Sequence, residues 1–351
     1  MEIKRIGFIG NLAYKEEKFD GQTVSTRLWV SELEKLKAQK NLISVDTYNF
    51  KKRIFAFVWD LLKCLSTSSH IVFMLSTNGM KAILPFLYYA NKIFRRKIYH
   101  RVIGGSISQS VAGNPKWVKY MNSFNVNWVQ SERIVADLRG QGVRNGKYLK
   151  NFRNMDSVSL DDIKNCEYPP YKYCTFCRVT KKKGITTAIE SIAKVNSESK
   201  SIVAVLHIFG PIDDAYKEEF DNLLEVHKEY VKYLGVISQD CAVSTLKDYY
   251  YHLFPTTWDS EGFPGTLIDC YNAGLPTIAT NWAYNSELIA NGITGMIYNW
   301  SEPQQLSVCI KKSMEETEEE HWQKRLNNLN EAKKYRASVV MLQVNDDLMS
   351  L

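Results

Sequence analysis

The stretch "SEGFPGTLIDCYNAGLPTIATN", residues 260–281, decides how the rest of the chain is read. Glu261 and Asp269 stand at the two ends of a run made of Gly262, Phe263, Pro264, Gly265, Thr266, Leu267 and Ile268. The preceding "YYYHLFPT" reads as a buried strand and "TWDSEGF" as the loop at its carboxyl end. Pro264 suits the first position of a helix, since its fixed φ is helical and its missing N–H would have no partner there. The helix is predicted from Thr266 to about Ala273, with Gly274 as its stop. The amides around Gly265 and Thr266 then form an anion site, strengthened by the helix dipole. Glu261 lies at its mouth and Asp269 one to two turns further in, each able to accept bonds from the hydroxyls of a sugar or a ribose.

Upstream, "CTFCRVTKKKGITTAIESIA" is expected to end a strand at Arg178 and to start a helix after Gly184. Arg178 offers a planar fork and Lys183 a point charge, both suited to a diphosphate. Either stretch alone has a plainer reading, a solvated basic turn for the first and an ordinary N-terminal helix acid for Glu261. Together they point to an anionic ligand that also carries hydroxyls.

The 351 residues suffice for two domains, and 45% hydrophobic with 24% charged residues is a globular balance. Residues 1–155 hold 26 Lys and Arg against 10 Asp and Glu, a balance of +16; the remainder holds 19 against 28, a balance of −9. A basic first half and an acidic second half argue for two domains, the first meeting something anionic. Seven scattered cysteines and no leader-like N-terminus imply a reduced, cytoplasmic setting. Cys174 and Cys177 have redox or zinc spacing, but no second pair accompanies them, so they read as packing residues. No stretch approaches the ~18 apolar residues of a membrane span.

Short apolar runs alternate with helical patterns along the whole chain, the mark of parallel α/β units. Six runs fall in each half, from "IKRIGFIG" to "KYLKNF" and from "YKYCTFCRV" to "GMIYN". A helix is expected over 23–38 with Val24, Leu28, Leu33 and Leu36 on one face. The polar segment 151–172 reads as a linker. The predicted architecture is two doubly wound, Rossmann-like α/β domains, 1–155 and 170–330, facing across a cleft, with a last helix at about 333–351 returning to the first. Ligands in such sheets bind at the carboxyl ends of the strands.

At this point the chain resembles a family. "RVTKKKG" is similar to the Arg-x4-Lys-Gly of retaining GT-B glycosyltransferases of the family 4 type, a group found in bacterial polysaccharide and glycolipid biosynthesis. "YVKYLGV", "EGFPGTLIDCYNAGLPTIAT" and "NSELIANGITGMIY" follow in that family's order. The resemblance is specific over about 174–298 and looser in the first half, where the "GQT" loop that opens with Gly21 and the "VIGG" loop fit. It implies that Arg178 and Lys183 hold the diphosphate of a nucleotide-sugar donor, that Glu261 contacts the donor sugar and that Asp269 binds the ribose. Gly21, Gly262, Phe263, Pro264, Gly265 and Thr266 would complete the donor site. The chain departs from the family in having Asp269 for the usual Glu and one glycine, Gly21, in the first loop.

His100, inside "KIYHRVIGG", reads as a structural histidine. No spaced acidic pair or His/Cys/Asp cluster has metal-ligand spacing, so neither metal nor other cofactor is expected. "IGFIGN" is not a full dinucleotide fingerprint. The alternatives to a glycosyltransferase are an epimerase or phosphorylase on the same scaffold, or a non-catalytic partner subunit. An epimerase would need a dense set of acids and histidines, which is missing. A surface candidate is "KKRIFAFVWDLLKCL" (51–65), with Lys51, Lys52, Arg53 and Lys63 beside Phe55, Phe57, Trp59, Leu61 and Leu62. "NKIFRRKIYHR" (91–101) adds Lys92, Arg95, Arg96, Lys97 and Arg101. Such a surface suits the inner face of an anionic membrane and a lipid-linked acceptor; no nucleic-acid motif accompanies it.

Overall fold

The structure, a computed structural model, describes residues 5–14, 16, 21–36, 42–163 and 168–350. Part of the 151–172 segment, with one of the seven cysteines (Cys166), and the end of the helix expected over 23–38 fall outside these residues.

Each apolar run becomes a parallel strand. In the first half these are β1 (Ile6–Gly10), β2 (Leu42–Asp46), β3 (His70–Leu75), β4 (Lys97–Val102), β5 (Val126–Val129) and β6 (Gly146–Tyr148). In the second they are β7 (Tyr171–Phe176), β8 (Ala204–Phe209), β9 (Val231–Tyr233), β10 (Tyr251–Phe254), β11 (Thr277–Thr280) and β12 (Gly295–Tyr298). All six side chains of β3 and all four of β10 are buried, as unbroken apolar strands require when helices cover both faces of a sheet. The sheet orders are β2-β1-β3-β4-β5-β6 and β12-β11-β10-β7-β8-β9.

The chain divides into two compact units, Met1–Asn154 with Ala337–Leu351, and Met155–Arg336. The last helix, Ala337–Ser350, belongs to the first unit because Val340, Met341, Val344 and Leu348 form one apolar stripe in its core. Asp347 on that helix accepts from the Trp128 indole at 2.7 Å. The helix Gly21–Lys35 buries Trp29, Val30 and Leu33, and of the expected face Leu33 is in the core with Leu28 and Leu36 packed against it, while Thr23 and Thr26 turn inward beside them.

Side-chain direction also corrects the surface stretches. In the helix Ile54–Thr67 the 3.6-residue period turns Phe57, Leu61, Cys64 and Leu65 inward, so Phe57 and Leu61 are core residues. Arg101 lies on the doubly covered β4; it is fully buried, donates to the Leu149 carbonyl at 2.8 Å and lies over the Trp29 ring. Arg96 donates to the carbonyls of Leu65 and Ser66 at the end of the helix Ile54–Thr67. No helix among the described residues is long and apolar enough to cross a membrane.

Candidate functional site

In the second sheet β7 pairs with β8 on one side and β10 on the other, so the crossover from the β8–β9 side to the β10–β11 side opens a crevice at their carboxyl ends. The loops that bring Lys183 and Glu261 leave those two strands. β7 ends at Phe176, two residues before Arg178 and earlier than the sequence reading placed it. A short turn, Lys181–Lys183, then closes on Gly184, whose φ is +76°. A Cβ at Gly184 would stand 2.2 Å from the Pro255 carbonyl oxygen, so only glycine lets the two loops touch here. The Thr257 amide donates to the Lys182 carbonyl at 2.8 Å and ties the loops together.

That contact sets Lys183 against Glu261. The ammonium forms an ion pair with Glu261 Oε2, the two side chains being only 13% and 8% exposed. Glu261 Oε2 also accepts from the Thr256 hydroxyl at 3.0 Å. Lys183 Nζ lies 5.4 Å from the Phe254 ring centroid and 5.8 Å from that of Trp258, which holds the cation by its flank. Cys177 is close by, but burial pushes its thiol up to about 12, with Lys183 opposing and Glu261 adding to the shift. A thiol so held is no nucleophile at neutral pH.

The helix behind Glu261 runs Gly265–Asn272. Pro264 is its extended cap residue, ψ 123°, rather than its first helical residue. The leading amides of Gly265 and Thr266 have no acceptor one turn back and are free for an anion. The Thr266 hydroxyl is used structurally, donating to the Phe176 carbonyl at 2.7 Å. Phe263 turns away from the crevice into the core, its ring 5.1 Å from that of Tyr335, so only its backbone remains for a ligand. Gly262 and Pro264 are buried in the same turn. Asp269, one helical turn after Gly265 on the same face, is buried. Arg178 is exposed, and among the described residues its guanidinium carries no hydrogen bond or ion pair. Gly21 begins a helix of the first unit, with open space where a Cβ would stand.

Thr256, Phe254 and Trp258 were missed by the sequence reading. The signal was the step from the apolar "YHLF" to "PTTW" at the end of β10, where ligand-facing residues of such sheets lie. His100 is fully buried, its ring stacked 4.2 Å from Phe73 and its Nδ1 3.0 Å from Asn127 Oδ1. Burial pulls its pKa down to about 4. Among the described residues no group of three or more His, Cys, Asp or Glu side chains could hold a metal.

With this geometry in place, residues 171–316 match the family model described as Glycosyl transferases group 1. The second unit carries a glycosyltransferase domain. Among curated relatives, an uncharacterized 41.2 kDa protein in cps region of Klebsiella pneumoniae is 24% identical over 76% of this chain and 75% of its own. Anabaena HepE, solved in complex with UDP, superposes with a TM-score of 0.77 at 15% identity, over 99% of this chain and 100% of its own. HepE in complex with UDP-glucose gives 0.75 at 16% identity, over 99% and 100%. The apo form of WaaB, a lipopolysaccharide outer core galactosyltransferase, gives 0.72 at 14% identity, over 99% of each chain. The fold of this glycosyltransferase is GT-B, two Rossmann-like domains each built on a six-stranded parallel sheet.

Proposed function

We propose that this glycosyltransferase moves a sugar from a nucleotide-diphosphate donor to an acceptor hydroxyl with retention of configuration, in the synthesis of a cell-surface polysaccharide or glycolipid. The observation that carries the reading is the Lys183–Glu261 pair at the β7/β10 crevice, beside the open amides of Gly265 and Thr266. When a diphosphate enters, Lys183 and those amides meet its charge, and Arg178 supplies a planar donor pair from the same loop. As the bond between sugar and phosphate breaks, negative charge grows on the leaving oxygen, and the same donors stabilise it more than in the ground state. Glu261 accepts from a hydroxyl of the donor sugar and Asp269 from the ribose. The donor site uses cationic side chains and helix amides in place of a divalent ion, and no other cofactor is needed.

HepE with UDP and UDP-glucose supports a uridine donor. The lipopolysaccharide named for WaaB and the cps region named for the Klebsiella relative support a cell-surface product. On this reading the acceptor is lipid-linked and the enzyme works from the cytoplasmic side, peripheral to the membrane. The test is titration with UDP and GDP, followed by turnover of the matching nucleotide sugars. Nucleoside-diphosphate binding in the micromolar range, together with an at least 100-fold loss of turnover in Arg178→Ala, is expected. Absence of diphosphate binding, or near-normal turnover in that variant, overturns the reading.

A further inference from the structure

One face of the first unit is apolar yet turned outward. In the helix Ile54–Thr67, the side chains of Ile54, Phe55, Val58, Trp59 and Leu62 all stay exposed, Phe55 at 90% and Trp59 at 71%. Their spacing places them on a single stripe of a 3.6-residue helix that adjoins the buried face through Phe57, Leu61, Cys64 and Leu65. The helix is therefore apolar beyond its buried face, over a stripe that the described residues leave exposed. Solvated helices in globular proteins do not spend two aromatic rings in this way.

The charge around the stripe selects what would cover it. Lys51 and Lys52 are exposed in the turn that leads into the helix, and Lys63 is exposed beside Leu62 near its end. Arg53 is tied to the Asp46 carbonyl and lies 3.9 Å from Asp60, the only acid on the helix. A stripe with aromatic rings at its centre and lysines at its rim matches the interface of an anionic bilayer, where rings enter the boundary between headgroups and acyl chains and lysines meet the phosphates.

We propose that the helix Ile54–Thr67 docks the enzyme on anionic phospholipid, with Phe55 and Trp59 as its inserted anchors and Lys51, Lys52 and Lys63 as its headgroup contacts. This deepens the peripheral placement proposed above by naming the surface responsible. Its readout contains neither donor nor acceptor, so its failure would leave the donor site standing.

The experiment is co-flotation of the full chain with vesicles of phosphatidylglycerol in phosphatidylcholine, against phosphatidylcholine alone, at low and high salt. UDP titration serves as the control for an intact fold. The intact chain is expected to float with the anionic vesicles and to be released by salt. The variant Phe55→Ser/Trp59→Ser, altered only at exposed positions, should lose at least ten-fold in partition with UDP binding unchanged. Each near-surface cation contributes roughly five-fold. Lys51→Glu/Lys52→Glu/Lys63→Glu should therefore lose about 100-fold or more at low salt. Intact chain that stays unbound at low salt, or a serine variant that floats as well as the intact chain, overturns the proposal. So does equal binding to neutral vesicles. A dimer that dissociates in the serine variant, without any flotation, would assign the stripe to self-association instead.

Discussion

Replacing Lys183 with methionine separates what the ion pair does for the fold from what it does for the donor. The substitution keeps most of the apolar stem beside Phe254 and Trp258 but removes the ammonium, leaving the Glu261 carboxylate with the Thr256 hydroxyl. Both side chains are nearly out of solvent, 13% and 8% exposed. Leaving a buried charge without its partner costs ~3–5 kcal/mol, and the lower end applies because this pair opens onto a crevice. Lys183→Met should therefore lose about 3 kcal/mol in urea unfolding of the second unit. In Lys183→Met/Glu261→Gln the stranded charge is gone, and most of that loss should return, to within about 1 kcal/mol of the parent. Donor affinity should behave differently. A charge-assisted bond to phosphate is worth ~1.5–3 kcal/mol, so calorimetric titration with UDP should weaken by about 10- to 100-fold in both variants, without rescue. Unchanged UDP affinity in Lys183→Met would refute the diphosphate role. A double variant as unstable as the single would refute the stranded-charge account.

Asp269→Asn should chiefly raise the donor KM, because a ribose hydroxyl bond is the same in ground and transition states; a collapse of kcat at unchanged KM would contradict the ribose assignment. Turnover should survive exhaustive chelation, measured with and without added magnesium or manganese, if side chains and amides carry the diphosphate charge. Burial holds His100 and His321 at a pKa of about 4 and His252 at about 3, below the ~6.5 of an unfolded chain. The unfolded state thus takes up protons first, so their contribution is fully present above pH ~6.5 and is lost as pH falls towards 4. At pH 5 each costs ~2 kcal/mol, and urea midpoints at pH 5 and pH 7 should differ accordingly. His100→Phe should reduce that difference in the first unit alone.

Much of the fold and half of the site were legible in the chain, for reasons that differ from residue to residue. The central strands could be found because doubly covered parallel strands are continuous apolar runs, and β3 and β10 have no exposed residue to confuse the pattern, whereas β2, β6 and β9 are mostly unburied and carry a weaker signal. Lys183 and Glu261 were legible because two charged stretches, each with a plain reading alone, follow two strands of the same half of the chain. Their pairing was not, since it depends on Gly184 touching Pro255, a contact between loops 71 residues apart that no local pattern encodes. Direction was hardest to read. Phe263 sits in a stretch rich in ligand-facing backbone, yet its ring belongs to the core beside Tyr335. Phe57 and Phe55 are two positions apart with opposite fates, one buried and one 90% exposed. Arg101 raises the count of basic residues in the first half but adds nothing to its surface, because its guanidinium is capped by carbonyls and an indole inside the sheet. The +16 of residues 1–155 is thus a weak guide to what the first unit binds. The placement of three lysines around one outward apolar stripe is a stronger one, because it joins charge to exposed aromatic rings, Phe55 and Trp59, on one element.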